Sequence, residues 1–212
     1  MKFILNILKA FLINIFFIGF IFASESCSTI SPNLADDNPP QQVKAILNDV
    51  ICSFINLKSE DSGTLTSTMN LTKKKIIPYV DLAYSTELAL GVYWANLNNK
   101  SKKIFERDLK NSLIKDYISI LADLRNWEDI NISVDDQFTQ NDDIASVTVL
   151  VSLKNENSKA RVTLKLIKKE RWRIFDLVYQ TISIIDIQKI SYNSRINRKG
   201  MDKLIQNMLT KS

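Results

Sequence analysis

The stretch from Asn131 to Gln180 constrains this chain most, because its hydrophobic period there switches from helical to strictly alternating. Strands are expected at about Asn131 to Phe138, Ile144 to Leu153, Ala160 to Lys168 and Arg171 to Gln180. Gln140-Asn141-Asp142 and Asn155-Glu156-Asn157-Ser158 are hairpin-length connections rich in turn formers. Consecutive strands without intervening helices can only pair antiparallel. Ala145, Val147, Val149, Val151 and Leu153 share one face of their strand, opposite Ser146, Thr148 and Ser152, and Val162, Leu164 and Leu166 repeat the pattern.

Helices flank this block. Val43, Ile46, Leu47, Val50, Phe54 and Leu57 recur at steps of three and four, predicting a helix with one buried face that ends near Ser59. Thr64 to Lys75 is a polar connection or short helices, and its run Lys73-Lys74-Lys75 suits a solvated face better than a docking patch. Pro78 favours a helix start and Gly91 a tight break. From a Ser101 N-cap, the spacing predicts a long helix to Asn126 with Phe105, Leu109, Leu113, Tyr117, Leu121 and Leu124 on one stripe. Ile184 to Ser212 reads as two helices parted at Lys199-Gly200, with glycine available for the left-handed position that ends the first. Helices gathered on one side of a four-stranded antiparallel sheet make an α+β domain over residues 41–212.

The N-terminus carries a secretory signal pattern over residues 1–23: Lys2 and Lys9, then an apolar run from Ala10 to Ala23, shorter than the ~20 residues that span a bilayer. Cleavage fits after Ala23 or after Ser26; lipidation at Cys27 is the alternative, although Glu25 suits such a signal poorly. Residues 24–40 are polar, with Pro39-Pro40, and are expected to form a flexible mature N-terminus. The exported chain would not itself span the membrane. A bridge between Cys27 and Cys52 is open, with unpaired thiols the preferred reading.

What the composition leaves out is informative. The 212 residues contain no histidine, which removes histidine-based triads, Cys-His pairs and histidine metal sites. After the signal segment only Gly63, Gly91 and Gly200 remain, so no glycine-rich phosphate loop exists. Losing Lys2 and Lys9 from 28 basic residues against 23 acidic ones leaves a weak positive excess, which in an exported protein suggests anionic lipid or an acidic surface and no nucleic acid. No catalytic residue, metal or cofactor is expected.

Several pieces fall in a characteristic order: Pro78-Tyr79-Val80; Leu90-Gly91 with Tyr93-Trp94; Phe105 with Tyr117; Trp172-Arg173-Ile174-Phe175-Asp176; Ser183 in a short apolar run; and Lys199-Gly200-Met201-Asp202 before Leu204. In this order the chain resembles the MlaC family, also called the toluene-tolerance auxiliary component family. One departure is Gln180-Thr181, where the family usually carries an acidic residue and glycine. The resemblance implies a cone-like sheet of the NTF2 type beside a helical subdomain, a periplasmic location, phospholipid as cargo, and an inner-membrane ABC transporter complex and an outer-membrane lipid complex as partners.

Such a carrier needs a deep apolar slot, since burying two acyl chains at ~0.8 kcal/mol per methylene corresponds to something on the order of 20 kcal/mol. The expected lining is Tyr79, Tyr84, Leu88, Leu90, Tyr93, Trp94, Phe105, Leu109 and Tyr117 from the helices, with Val147, Val149, Val151, Val162, Leu164, Phe175 and Leu177 from the sheet. Half of these would serve equally as ordinary core. Both faces of Arg171 to Gln180 are apolar, so Ile174 and Val178 compete with Phe175 and Leu177 for the inward side.

Two other readings stand beside the carrier. NTF2-type cones also serve isomerases and dehydratases, for which Asp81 or Asp176 with Tyr84 or Tyr179 would be the candidate pair. Against that, Asp81 can stabilise a helix start and Asp176 can pair with Arg173. A docking protein with a solid core would use the basic run Arg195, Arg198 and Lys199.

Overall fold

A computed structural model describes residues 37–59, 64–123, 129–154 and 159–210. The signal segment, Cys27 and most of the expected flexible N-terminus lie outside the described residues. In chain order come α1 (Pro39–Ser59), α2 (Leu65–Lys75), a 3-10 turn (Ile77–Tyr79), α3 (Leu82–Leu90), a second 3-10 segment (Gly91–Asn96) and α4 (Asn99–Asp123). Then follow β1 (Ile130–Asn141), β2 (Ile144–Leu153), β3 (Ala160–Lys168), β4 (Trp172–Tyr179), β5 (Ile182–Ser183), α5 (Ile184–Lys199) and α6 (Met201–Thr210).

The sheet is antiparallel throughout, in the order β1-β2-β3-β4-β5. It has five strands where four are legible in the sequence. The extra one, β5, pairs Ser183 with Val178 and Ile182 with Tyr179 through a two-residue turn. Two residues are too few to show a period. Gln180 enters that turn at φ 56°, a conformation that glycine adopts without cost and a β-carbon resists.

Several helix boundaries differ from expectation. Helix α1 starts at Pro39, because a proline in the first turn forfeits no hydrogen bond and Asn38 Oδ1 accepts from Gln41 N at 3.2 Å. The end of the supposedly flexible segment is therefore fixed: Trp172 Nε1 donates to the Asp37 carbonyl at 3.0 Å and Lys168 pairs with Asp37. The long helix α4 is capped by Asn98, whose side chain accepts from Ser101 N at 2.8 Å, and not by Ser101. Gly91, at φ 54°, ends α3, and Gly200, at φ 78° and ψ 157°, parts α5 from α6.

Cys52 is disulfide-bonded, which corrects the preference for unpaired thiols. Periodicity reports only that Cys52 lies on a helix; it carries no information about what a thiol bonds to across the fold.

Apolar side chains gather in three clusters. One joins the sheet face to α1 through Val43, Ala145, Val147, Val149, Leu164, Leu166 and Trp172. A second is wholly helical: Ala89, Leu90, Ile104, Phe105, Ile185, Tyr192, Ile196, Leu204 and Met208. The third lies further along α1, with Ile46, Val50 and Phe54 against Leu71, Ile76 and Tyr79.

Candidate functional site

The strand register builds one continuous apolar face. Val147 stands beside Leu164, which stands beside Leu177, and Val149 pairs with Val162. Val147, Val149 and Leu164 are buried, whereas Val151, Val162 and Leu177 are half-buried around them. These six expected residues do come together. The same face also carries Ala145 and Leu166, which alternation puts beside them, and Ile174, one of the two alternatives for β4; the sequence reading missed Ile132, Val134 and Trp172, and that Val43 and Leu47 of α1 lie over this face. The amphipathic stripe of α1 was visible in the sequence, but a stripe does not name its destination.

A β-bulge decides the question left open for β4. Lys165 pairs with Asp176 and Leu166 with Ile174, so Phe175 is one residue extra. Ile174 and Leu177 consequently both join the sheet-face cluster, and each of the two competing pairs is split. Phe175 turns to the helices: its ring meets Tyr84 edge-on at 5.0 Å, and its carbonyl accepts from Ser85 Oγ at 2.7 Å.

The helical residues expected in the slot lie elsewhere. Leu90 and Phe105 are buried in the helical cluster, with Leu88, Tyr93 and Trp94 packed against it. Phe105 meets Tyr192 edge-on at 5.4 Å, and Leu109 is fully buried on α4. Tyr79 belongs to the third cluster, and the Tyr117 side chain lies outside the described residues.

Polar bonds join the sheet to the helical part. Arg173 Nη2 donates to the Val80 carbonyl at 2.9 Å, and Asp81 N to the Ile174 carbonyl at 2.8 Å. Asp176, buried, accepts from Ser183 Oγ at 2.8 Å and from Ile185 N at 3.2 Å, with Lys165 Nζ at 3.3 Å. Asp176 is thus bound to the start of α5 and to Lys165, which corrects the expected pairing with Arg173. Asp81 caps α3 by accepting from Tyr84 N at 3.0 Å. Both candidate acids have structural partners.

A buried carboxylate that sequence reasoning did not single out is Asp49 on α1. Lys75 Nζ approaches its Oδ1 at 2.8 Å, and the Tyr79 hydroxyl donates to Oδ2 at 3.5 Å. The Asp49 side chain is only 2% exposed, so Lys75 is its charge partner and no longer a plain solvated lysine, unlike exposed Lys73 and Lys74. Burial, reinforced by the Asp49 charge and hydrogen bond and opposed by Arg171, pushes the Tyr79 phenol above its ordinary value.

Two cavities stand out among the described residues, and none of the sixteen expected lining residues borders either. One, of about 850 Å³, sits at the β3–β4 turn beside Lys169, Glu170, Arg171 and Arg173. The other, of about 400 Å³, lies between α4, α5 and α6. The apolar face is covered by α1 where the expected slot would open.

The model of the family described as MlaC protein matches residues 44–210, from the second turn of α1 to the end of α6. The chain belongs to the MlaC family. Among MlaC relatives, an intermembrane phospholipid transport system binding protein from Haemophilus influenzae is 20% identical over 173 residues, covering 79% of this chain and 77% of that protein. The structure of a phospholipid-binding protein from Ralstonia solanacearum, solved in complex with a phospholipid, shares the fold with a TM-score of 0.69 at 21% identity, covering 82% of this chain and 95% of that one. No helix among the described residues is long and apolar enough to cross a membrane.

Proposed function

We propose that this chain is an exported phospholipid-binding carrier that takes acyl chains onto the apolar sheet face under α1 and moves them between inner- and outer-membrane complexes. The observation that carries this reading is the half-buried rim of Ile132, Val134, Val151, Val162, Ile174 and Leu177 around a buried centre. A sheet face committed only to stability would be sealed by its covering helix, because each fully buried side chain of this kind contributes about 1.5–3 kcal/mol. Kinship with the Haemophilus transport protein, and a fold shared with a protein that holds a phospholipid, support the same reading.

Loading then requires α1 to tilt away from Val147 and Val149, exchanging contacts with Val43 and Leu47 for contacts with acyl methylenes. The headgroup stays in water at the rim. No bond of the lipid is broken. Catalysis would need an acid and a tyrosine converging in a pocket, whereas Asp81 and Asp176 are occupied at helix starts.

Detergent-free protein from the cell envelope, analysed by native mass spectrometry and lipid extraction, is expected to carry phospholipid. Delipidated protein is expected to reload from vesicles. A chain that stays lipid-free under both conditions ends the proposal.

A further inference from the structure

The cleft between α4, α5 and α6 has a composition that lipid-tail binding does not use. Ile104, Arg107, Asp108, Asn111, Ser112 and Lys115 recur on α4 at steps of three and four, so one face of that helix forms a wall. Arg195 and Lys199, one turn apart on α5, form the second, and Leu204, Asn207 and Met208 of α6 the third. Ile104, Leu204 and Met208 are buried, so apolar side chains back the cleft.

Four cations therefore border a space of about 400 Å³ together with one carboxylate. Asp108 Oδ2 is already taken by Arg195 Nη1 at 3.0 Å, with both side chains about a quarter exposed. That ion pair fixes one guanidinium in place. Arg107, Lys115 and Lys199 have no ion-pair partner among the described residues. Unpaired cations converging on one concavity repel each other, and a multiply charged anion relieves that repulsion. Asn111, Ser112 and Asn207 add neutral donors.

We propose that this cleft is a phosphate-binding site for a phosphate mono- or diester, separate from the apolar sheet face. A single carboxylate would engage one or two of these cations. A tetrahedral phosphate, with up to two charges and several acceptor oxygens, can engage Arg107, Lys115 and Lys199 at once. The volume also leaves room for a small alcohol on the phosphate.

The test titrates the full exported chain with inorganic phosphate and with glycerol 3-phosphate, followed by backbone NMR shifts, and in parallel with vesicles of phosphatidylglycerol and phosphatidylcholine in equal parts against phosphatidylcholine alone. Saturable shifts are expected at 107–115 and 195–199, weakening with salt. The triple variant R107Q/K115Q/K199Q, altered only at exposed side chains, is expected to lose about tenfold or more in affinity with an unchanged melting curve. The single variant K115Q should show a smaller loss of the same sign. Binding of the soluble esters alone assigns the site to a free phosphate, and vesicle binding that depends on the same three residues assigns it to a headgroup. Absence of saturable binding in both arms, affinity unmoved by the triple variant, or equal affinity for a dicarboxylate or an acidic peptide would overturn the proposal.

Discussion

The sheet face and the helical core are both apolar, yet they are built differently. In the helical core Phe105, Tyr192, Leu90 and Leu204 are all at most 2% exposed and interlock ring against ring. On the sheet face, buried Val147 and Val149 give way to half-buried Val151 and Val162, which α1 covers only in part. Dense packing makes a structural unit, whereas an incompletely covered face can exchange its cover for a ligand. Polar bonds from Arg173, Asp81 and Asp176 tie β4 to the helical core, so that edge is held while α1 covers the opposite part of the face.

The sharpest test of this contrast is a pair of substitutions. Phe105→Ala in the helical core is expected to cost about 3–5 kcal/mol in denaturant unfolding. Val162→Trp on the half-covered face should change stability much less, yet lower phospholipid loading from vesicles by about tenfold, as occupied volume displaces acyl methylenes. Equal stability losses, with loading intact in the second variant, would erase the distinction between the regions.

Next comes the anchorage of α1. Lys75→Met leaves the Asp49 carboxylate buried without its cation, for an expected loss of about 3 kcal/mol, and Asp49→Asn with Lys75→Met together should recover part of it. Urea melts of the two variants and the parent would show this. No recovery in the double variant would mean that the pair contributes nothing beyond shape.

A smaller effect concerns the tyrosine at the centre of the helical core. The Tyr192 hydroxyl is buried without a hydrogen-bond partner, and burial, reinforced by the nearby Asp108 charge and opposed by Arg195, pushes its pKa well above the ordinary value. Tyr192→Phe removes an unsatisfied group, so stability at neutral pH should stay level or rise by up to about 1 kcal/mol. In the native state the phenol keeps its proton, while the unfolded chain releases it near pH 10. Below pH 10 the phenol is therefore neutral in both states and adds no pH dependence, and the fold loses stability as pH climbs above that value. Tyr79, also raised, adds to the same decline. Unfolding curves between pH 9 and 11 should be flatter for Tyr192→Phe than for the parent. The smallest change expected is at Gln180, where glycine should relieve the positive φ and raise the melting midpoint by the equivalent of about 1 kcal/mol or less.

Much of this architecture is legible from alternation and helical spacing. A strand repeats every second residue, so Val147 shares a face with Val149, and Val162 with Leu164, and Gly91 and Gly200 read as breaks. What could not be read depends on contacts between distant segments. Nothing local to Leu88, Tyr93 or Phe105 says that they pack on α5 and α6 and not on the sheet. Asp49 looks like any helical acid until Lys75 and Tyr79 arrive from another element. Asn98 outcompeted Ser101 as a cap because both are good cap residues, and only backbone geometry selects between them.

The extra residue at Phe175 has a further consequence. By letting Ile174 and Leu177 share a side, it frees one ring of β4 to grip Tyr84 without opening a hole among the valines. A local irregularity of one position thus divides the labour of a single strand, half of it wall and half of it rivet. Shortening β4 by that residue would restore plain alternation and force the wall and the rivet to compete for the same side chains.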